Sequence, residues 1–140
     1  MNKNYTILKK AFNHMIAIKE NEPLYETGGL LLGKIYISEI RVVEVTGPWE
    51  KAVKQKHYVI FDKDDLFNQI KPKIERGLYV LGTWHTHPDE THLNPSIIDQ
   101  ETMQHIYEYY KGLIAPLFCI LMFRSNVPYV NYFVQKSKTQ

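Results

Sequence analysis

The spacing of apolar and polar residues divides the chain into stretches of helical and of extended period. From about Tyr5 to Glu20, Leu8, Phe12, Met15 and Ile16 recur at helical spacing and predict an amphipathic first helix. Leu30–Ile37 and Ile40–Val45 are β-rich, and Ser38-Glu39 between them predicts a tight hairpin. Gly47-Pro48 then breaks the extended pattern, and Tyr58–Phe61 reads as another strand. Asp62 stands where it can cap a helix carrying Leu66, Phe67, Ile70 and Ile74, which Gly77 ends. Pro72 falls inside that pattern, so the helix either kinks there or stops early. Leu78–Leu81 predicts a buried strand running into His85. A helix follows from about Ser96 to Tyr110, with Ile98, Met103, Ile106, Tyr107 and Tyr110 on its apolar face. Leu117–Phe123 and Tyr129–Val134 form a closing hairpin around Ser125-Asn126, and the tail after Gln135 is polar.

Strands and helices are mixed, with hairpins and few parallel crossovers. The expected fold class is α/β, a curved and largely antiparallel mixed sheet flanked by helices. At 140 residues the chain is expected to form a single domain over residues 1–140, and 44% hydrophobic content suits an ordinary core. A formal charge of +2, without a block of basic residues, gives no ground for a nucleic-acid partner. The basic residues of Lys51–Lys56 read as a solvated turn, or as a docking surface for an acidic partner. No apolar run is long enough to span a membrane, and the opening residues carry no apolar leader, so the expected location is the cytoplasm. The one cysteine, Cys119, lies within Leu117–Phe123 and reads as a small buried hydrophobe.

Chemistry concentrates in Gly82-Thr83-Trp84-His85-Thr86-His87-Pro88 and in Pro95-Ser96-Ile97-Ile98-Asp99. Side chains alternate along a strand, so His85 and His87 point the same way and can share one ion, while Trp84 faces the core behind them. Asp99 can add an oxygen ligand. Two imidazoles and a carboxylate leave a fourth position free on a tetrahedral Zn²⁺, the arrangement of a catalytic site. Upstream, Glu26 stands before Gly28-Gly29-Leu30-Leu31-Leu32-Gly33, either as a solvated turn residue or as an acid held against something. Zinc hydrolases need a base that takes a proton from water and returns it to the leaving amine, and Glu26 suits that role better than Glu22. Ser96 reads equally as a helix N-cap. Asp89, Glu90 and His92 fall in the intervening loop and read as solvated residues, while His14, His57 and His105 have no partner pattern.

Glu26 with its glycine-flanked apolar strand, His85-Thr86-His87-Pro88, Ser96 and Asp99 together resemble the signature of the JAMM (MPN-type) zinc metalloproteases, and most closely their prokaryotic JAB branch. The resemblance runs from about Glu26 to the last strand. It departs in one place: eleven residues separate His87 from Asp99, one more than the usual family spacing, which lengthens the loop over residues 89–94. The resemblance implies a cytidine-deaminase-like α/β sandwich and one zinc ion per chain, held by His85, His87 and Asp99. It further implies a zinc-bound water activated by Glu26, and an oxyanion donor in Ser96.

The activity so implied is that of a peptidase or isopeptidase. It would hydrolyse the amide bond after the C-terminal tail of a ubiquitin-like or sulfur-carrier-type protein, alongside activating or conjugating enzymes of the same pathway. Such a tail can add as a strand beside a sheet edge. The alternative is a non-catalytic scaffold of the same fold. Hydrolysis of a small molecule or nucleotide ranks below both, because no phosphate-cradling loop is present.

Overall fold

The computed structural model describes residues 4–47, 53–54, 59–60, 63–86, 104, 107–108 and 115–134. Its sheet has six strands: β1 (Asn4–Ile7), β2 (Gly28–Ile35), β3 (Glu39–Val45), β6 (Tyr79–Thr86), β7 (Leu117–Arg124) and β8 (Val127–Val134). Their spatial order is β1-β3-β2-β6-β7-β8. Two short strands, β4 (Val53–Lys54) and β5 (Val59–Ile60), pair separately, and two helices, α1 (Lys9–Glu20) and α2 (Lys63–Glu75), complete the described elements. The pairs β2–β3, β2–β6 and β7–β8 are antiparallel, whereas β1–β3 and β6–β7 are parallel. The expected α/β class with a mixed, largely antiparallel sheet is therefore what the chain adopts.

The central strands β2, β6 and β7 are buried on both faces. On β7, Leu117, Cys119 and Leu121 join a core with Ala11 and Met15 of α1. Phe118, Ile120 and Met122 alternate to the opposite face, where Tyr129 and Phe133 pack against them. This second face also holds Leu30, Leu32, Leu78 and Ile70 of α2. An unbroken apolar run is what a strand covered on both faces requires. The sheet also curls. Tyr5 Oη donates to Ala115 O at 3.0 Å, although three strands separate β1 from β7 in the sheet.

The first helix begins later than its periodicity suggests. Asn4–Ile7 pair in parallel with Glu39–Val42, Leu8 stays extended, and its N–H donates to Val42 O before α1 starts. Tyr5, Thr6 and Ile7 are residues that suit a strand, but their pairing partner lies more than thirty positions away and leaves no mark on local spacing. Strand β2 opens at Gly28, where the apolar run of the sequence opens, and the β2–β3 turn closes around Ile37-Ser38, with Tyr36 N–H donating to Glu39 O. Helix α2 runs through Pro72 to Glu75 instead of ending early. Pro72 and Asn68, whose carbonyl loses its donor there, are both exposed, so water can take the place of the missing bond. Gly77 then ends the helix with φ +89°, a conformation glycine adopts without strain.

The β7–β8 hairpin turns through Ser125 and Asn126, with φ of 50° and 66°, as a two-residue turn between twisted strands demands. Of the helix expected over residues 96–110, Gln104, Tyr107 and Glu108 are helical and the remainder lies outside the described residues. Among the described residues, no helix is long and apolar enough to cross a membrane.

Candidate metal and catalytic site

The site is positioned by the central pair β2–β6. Their register sets Gly28 opposite His85, Gly29 opposite Trp84 and Leu30 opposite Thr83. Between Leu31 and Leu32 the register shifts, so that Leu81 has no partner on β2. Such a bulge changes which side chains share a face. Leu81 and Trp84, three residues apart, consequently both enter the core beneath α1. Trp84 is fully buried there, and its Nε1–H donates to Thr46 O at 2.9 Å. Thr46 Oγ1 in turn accepts from Leu30 N–H at 2.9 Å, which ties the end of β3 to the start of β2.

His85 therefore faces away from Trp84, as alternation requires. Its ring meets the Phe118 ring edge-on, with centroids 5.3 Å apart. It is 8% exposed, and Glu26 is 5% exposed. Glu26 Oε1 lies 3.5 Å from His85 Nδ1, so the sheet brings together two residues 59 positions apart. Of the two readings open for Glu26, solvated turn or held acid, the second is correct. The 3.5 Å approach is a close contact and not a hydrogen bond, and it places the carboxylate and the imidazole nitrogen side by side in a buried setting.

The backbone around Glu26 is pinned to the end of β6. Thr86 N–H donates to Thr27 O at 2.8 Å, and Thr27 N–H donates to Thr86 Oγ1 at 3.0 Å. Gly28 completes the arrangement: a β-carbon there would fall 2.1 Å from Trp84 O and 2.9 Å from His85 Cδ2. A side chain there would meet the backbone of β6 first and the histidine ring next. Spacing in the sequence singled out neither Thr27 nor Thr86; the glycine pair before an apolar run was the one local sign of a close approach.

His87, Ser96 and Asp99 lie outside the described residues, as do Asp89, Glu90 and His92. Among the described residues, no three His, Cys, Asp or Glu side chains gather as a metal-binding group. What is described fits zinc in kind. His85 is a nitrogen donor of the sort the ion takes, Glu26 supplies an adjacent carboxylate, and the side chain absent from Gly28 leaves the ring room. Cys119 is not part of this chemistry. It is wholly buried behind the strand, and burial pushes its thiol up to about 12.

Comparison with known proteins bears on the family and the fold. The family model for prokaryotic homologs of the JAB domain matches residues 8–131. The chain belongs to the prokaryotic JAB family. The solution structure of a protein from Desulfitobacterium hafniense is similar at a TM-score of 0.68 and 21% identity, over 94% of this chain and 85% of that one. That likeness concerns the fold. No curated protein matched the chain. The JAB family includes JAMM proteases, and its prokaryotic members are often non-catalytic. The chemistry of this JAB chain must therefore be argued from its own residues.

Proposed function

We propose that this JAB chain is a zinc-dependent peptidase or isopeptidase. It would cleave the amide bond after the C-terminal tail of a ubiquitin-like or sulfur-carrier-type protein, to process or remove it. The observation that carries this reading is the buried Glu26 carboxylate, just before β2, lying 3.5 Å from Nδ1 of His85 near the end of β6, the strand that runs into His-Thr-His. A buried acid beside an imidazole is the pairing that proton transfer at a metal-held water would use, which supports the enzyme over the scaffold. The reading also takes in one folded domain over the whole chain and a cytoplasmic location, together with activating or conjugating enzymes as pathway partners.

His85, His87 and Asp99 would hold one zinc ion. When bound, zinc supplies a Lewis acid and brings the pKa of a coordinated water to about 7. Glu26, seated before β2 and beside the end of β6, accepts a proton from the attacking water and passes it to the leaving amine. Base and acid catalysis of this kind contributes about 10²–10⁴ in rate. Ser96 donates its hydroxyl to the oxygen of the scissile carbonyl, worth about 3 kcal/mol where such a donor is preorganised. Phe118 and the buried strand around His85 exclude water from one side of the imidazole.

The test is incubation of the protein with a ubiquitin-like or sulfur-carrier protein fused at its C-terminus to a reporter, with and without a chelator. Cleavage after the tail that stops on chelation and returns with zinc supports the reading. A protein that neither cleaves nor holds metal is the scaffold instead.

A further inference from the structure

The β2–β6 register ends with Gly28 opposite His85, and the next residues outward are Thr27 and Thr86, which are joined by two hydrogen bonds of different kinds. One of the two is the usual one, from Thr86 N–H to Thr27 O at 2.8 Å. The other would join Thr27 N–H to the Thr86 carbonyl. Instead, Thr27 N–H donates to the Thr86 side-chain oxygen at 3.0 Å. That hydroxyl also donates to Thr27 O at 3.4 Å. Both threonines are buried, with 1% and 0% exposure, so the hydroxyl is the acceptor that satisfies Thr27 N–H in place of a backbone carbonyl.

This substitution of side chain for backbone has a geometric consequence. Thr86 is paired on its other side with Leu121 of β7, so its hydroxyl grips Thr27 from a residue that the sheet itself holds. The chain at Thr27 stays fixed, and Glu26 is the next residue along it. Resting on the reading of Glu26 as the proton-transfer group, we propose that Thr86 is a positioning residue whose hydroxyl holds the Glu26 carboxylate in place against His85. It touches no reacting atom. It acts through the peptide that joins Glu26 to Thr27, from the face of β6 opposite to His85.

The experiment compares Thr86→Val, Thr86→Ser and Thr86→Cys in the zinc-loaded full chain. Valine keeps the shape and the backbone bond to Thr27 O but removes the acceptor. Serine keeps the acceptor, and cysteine supplies a weaker one. Supporting residues of this kind typically cost about 10- to 100-fold when lost. Thr86→Val is therefore expected to lower kcat by about that factor, with KM and zinc content unchanged, and to speed amide exchange at Thr27. Serine should restore both, and cysteine should fall between. A valine variant with wild-type kcat and wild-type Thr27 exchange overturns the proposal, as does a serine variant as impaired as valine.

If valine does not fold, the serine–cysteine pair carries the same comparison. If the wild-type protein cleaves nothing, the proposed activity has failed. The positioning claim is then judged by crystal structures of the variants. An unchanged 3.5 Å separation of Glu26 and His85 in Thr86→Val overturns it, and a lengthened one restored by serine upholds it.

Discussion

Gly28 and His85 face each other across β2 and β6, and a side chain on Gly28 would meet the imidazole ring. The nearest obstacle is Trp84 O, only 2.1 Å from a hypothetical β-carbon, and backbone cannot rotate away as a side chain can. Gly28→Ala should therefore destabilise the fold by about 1–3 kcal/mol, the usual cost of forcing atoms into a packed interior. Any folded fraction should bind zinc more weakly, because the ring is displaced. Urea unfolding followed by Trp fluorescence, together with zinc titration, reads both effects.

Replacing Glu26 by Gln keeps the size of the side chain and removes its ability to take up a proton. Hydrolysis of a reporter fusion should fall by about 10²–10⁴ while zinc stays bound. Turnover at the wild-type rate would remove Glu26 from the chemistry and leave the buried pair with His85 as a structural contact.

Glu44 on β3 joins the sheet to α2 through Lys73 Nζ at 2.6 Å, with Arg76 at 3.7 Å. The hydrogen bond from Lys73 and the nearby cations hold its carboxyl below the ordinary value of 4.5. The unfolded chain therefore takes up this proton before the folded one does. The stabilisation is present above pH 4.5 and is lost as pH falls through the lower, folded value. Urea midpoints measured from about pH 6 to about pH 3 should decline less steeply in Glu44→Gln than in the wild type.

Cys119 gives the opposite case. Its thiol is pushed to about 12 by burial, so between an unfolded value of 9.0 and that point the unfolded chain loses the proton first. Stability should fall as pH rises through this window, with Tyr5 contributing in the same direction because burial raises its phenol as well. Below it, a thiol reagent should modify Cys119 at the rate of unfolding, and rapid labelling of the native protein would contradict the burial.

Much of this architecture was legible in the order of residues, where the physics is local. Ser125-Asn126 announces its turn because few residues tolerate φ above zero, and Cys119 reads as a buried hydrophobe because the apolar run around it is unbroken. What depends on distant partners was not legible. Asn4–Ile7 looks like the first turn of a helix until β3 is beside it. The bulge at Leu81, which lets Leu81 and Trp84 share a face, leaves no signature in composition. The same holds at the site. His85 was readable from its strand and its neighbour two positions on, but the nearness of Glu26 is a product of register, and the hydroxyl of Thr86 within that register carries no motif at all.

The central claim is that His85 grips a zinc ion within reach of Glu26. Elemental analysis of the purified protein after zinc loading and removal of excess metal tests it most directly, with His85→Ala and Asp99→Ala alongside. The account requires about one zinc per wild-type chain and almost none in either variant. A wild-type chain free of zinc, or a His85→Ala chain that keeps its full complement, would contradict it.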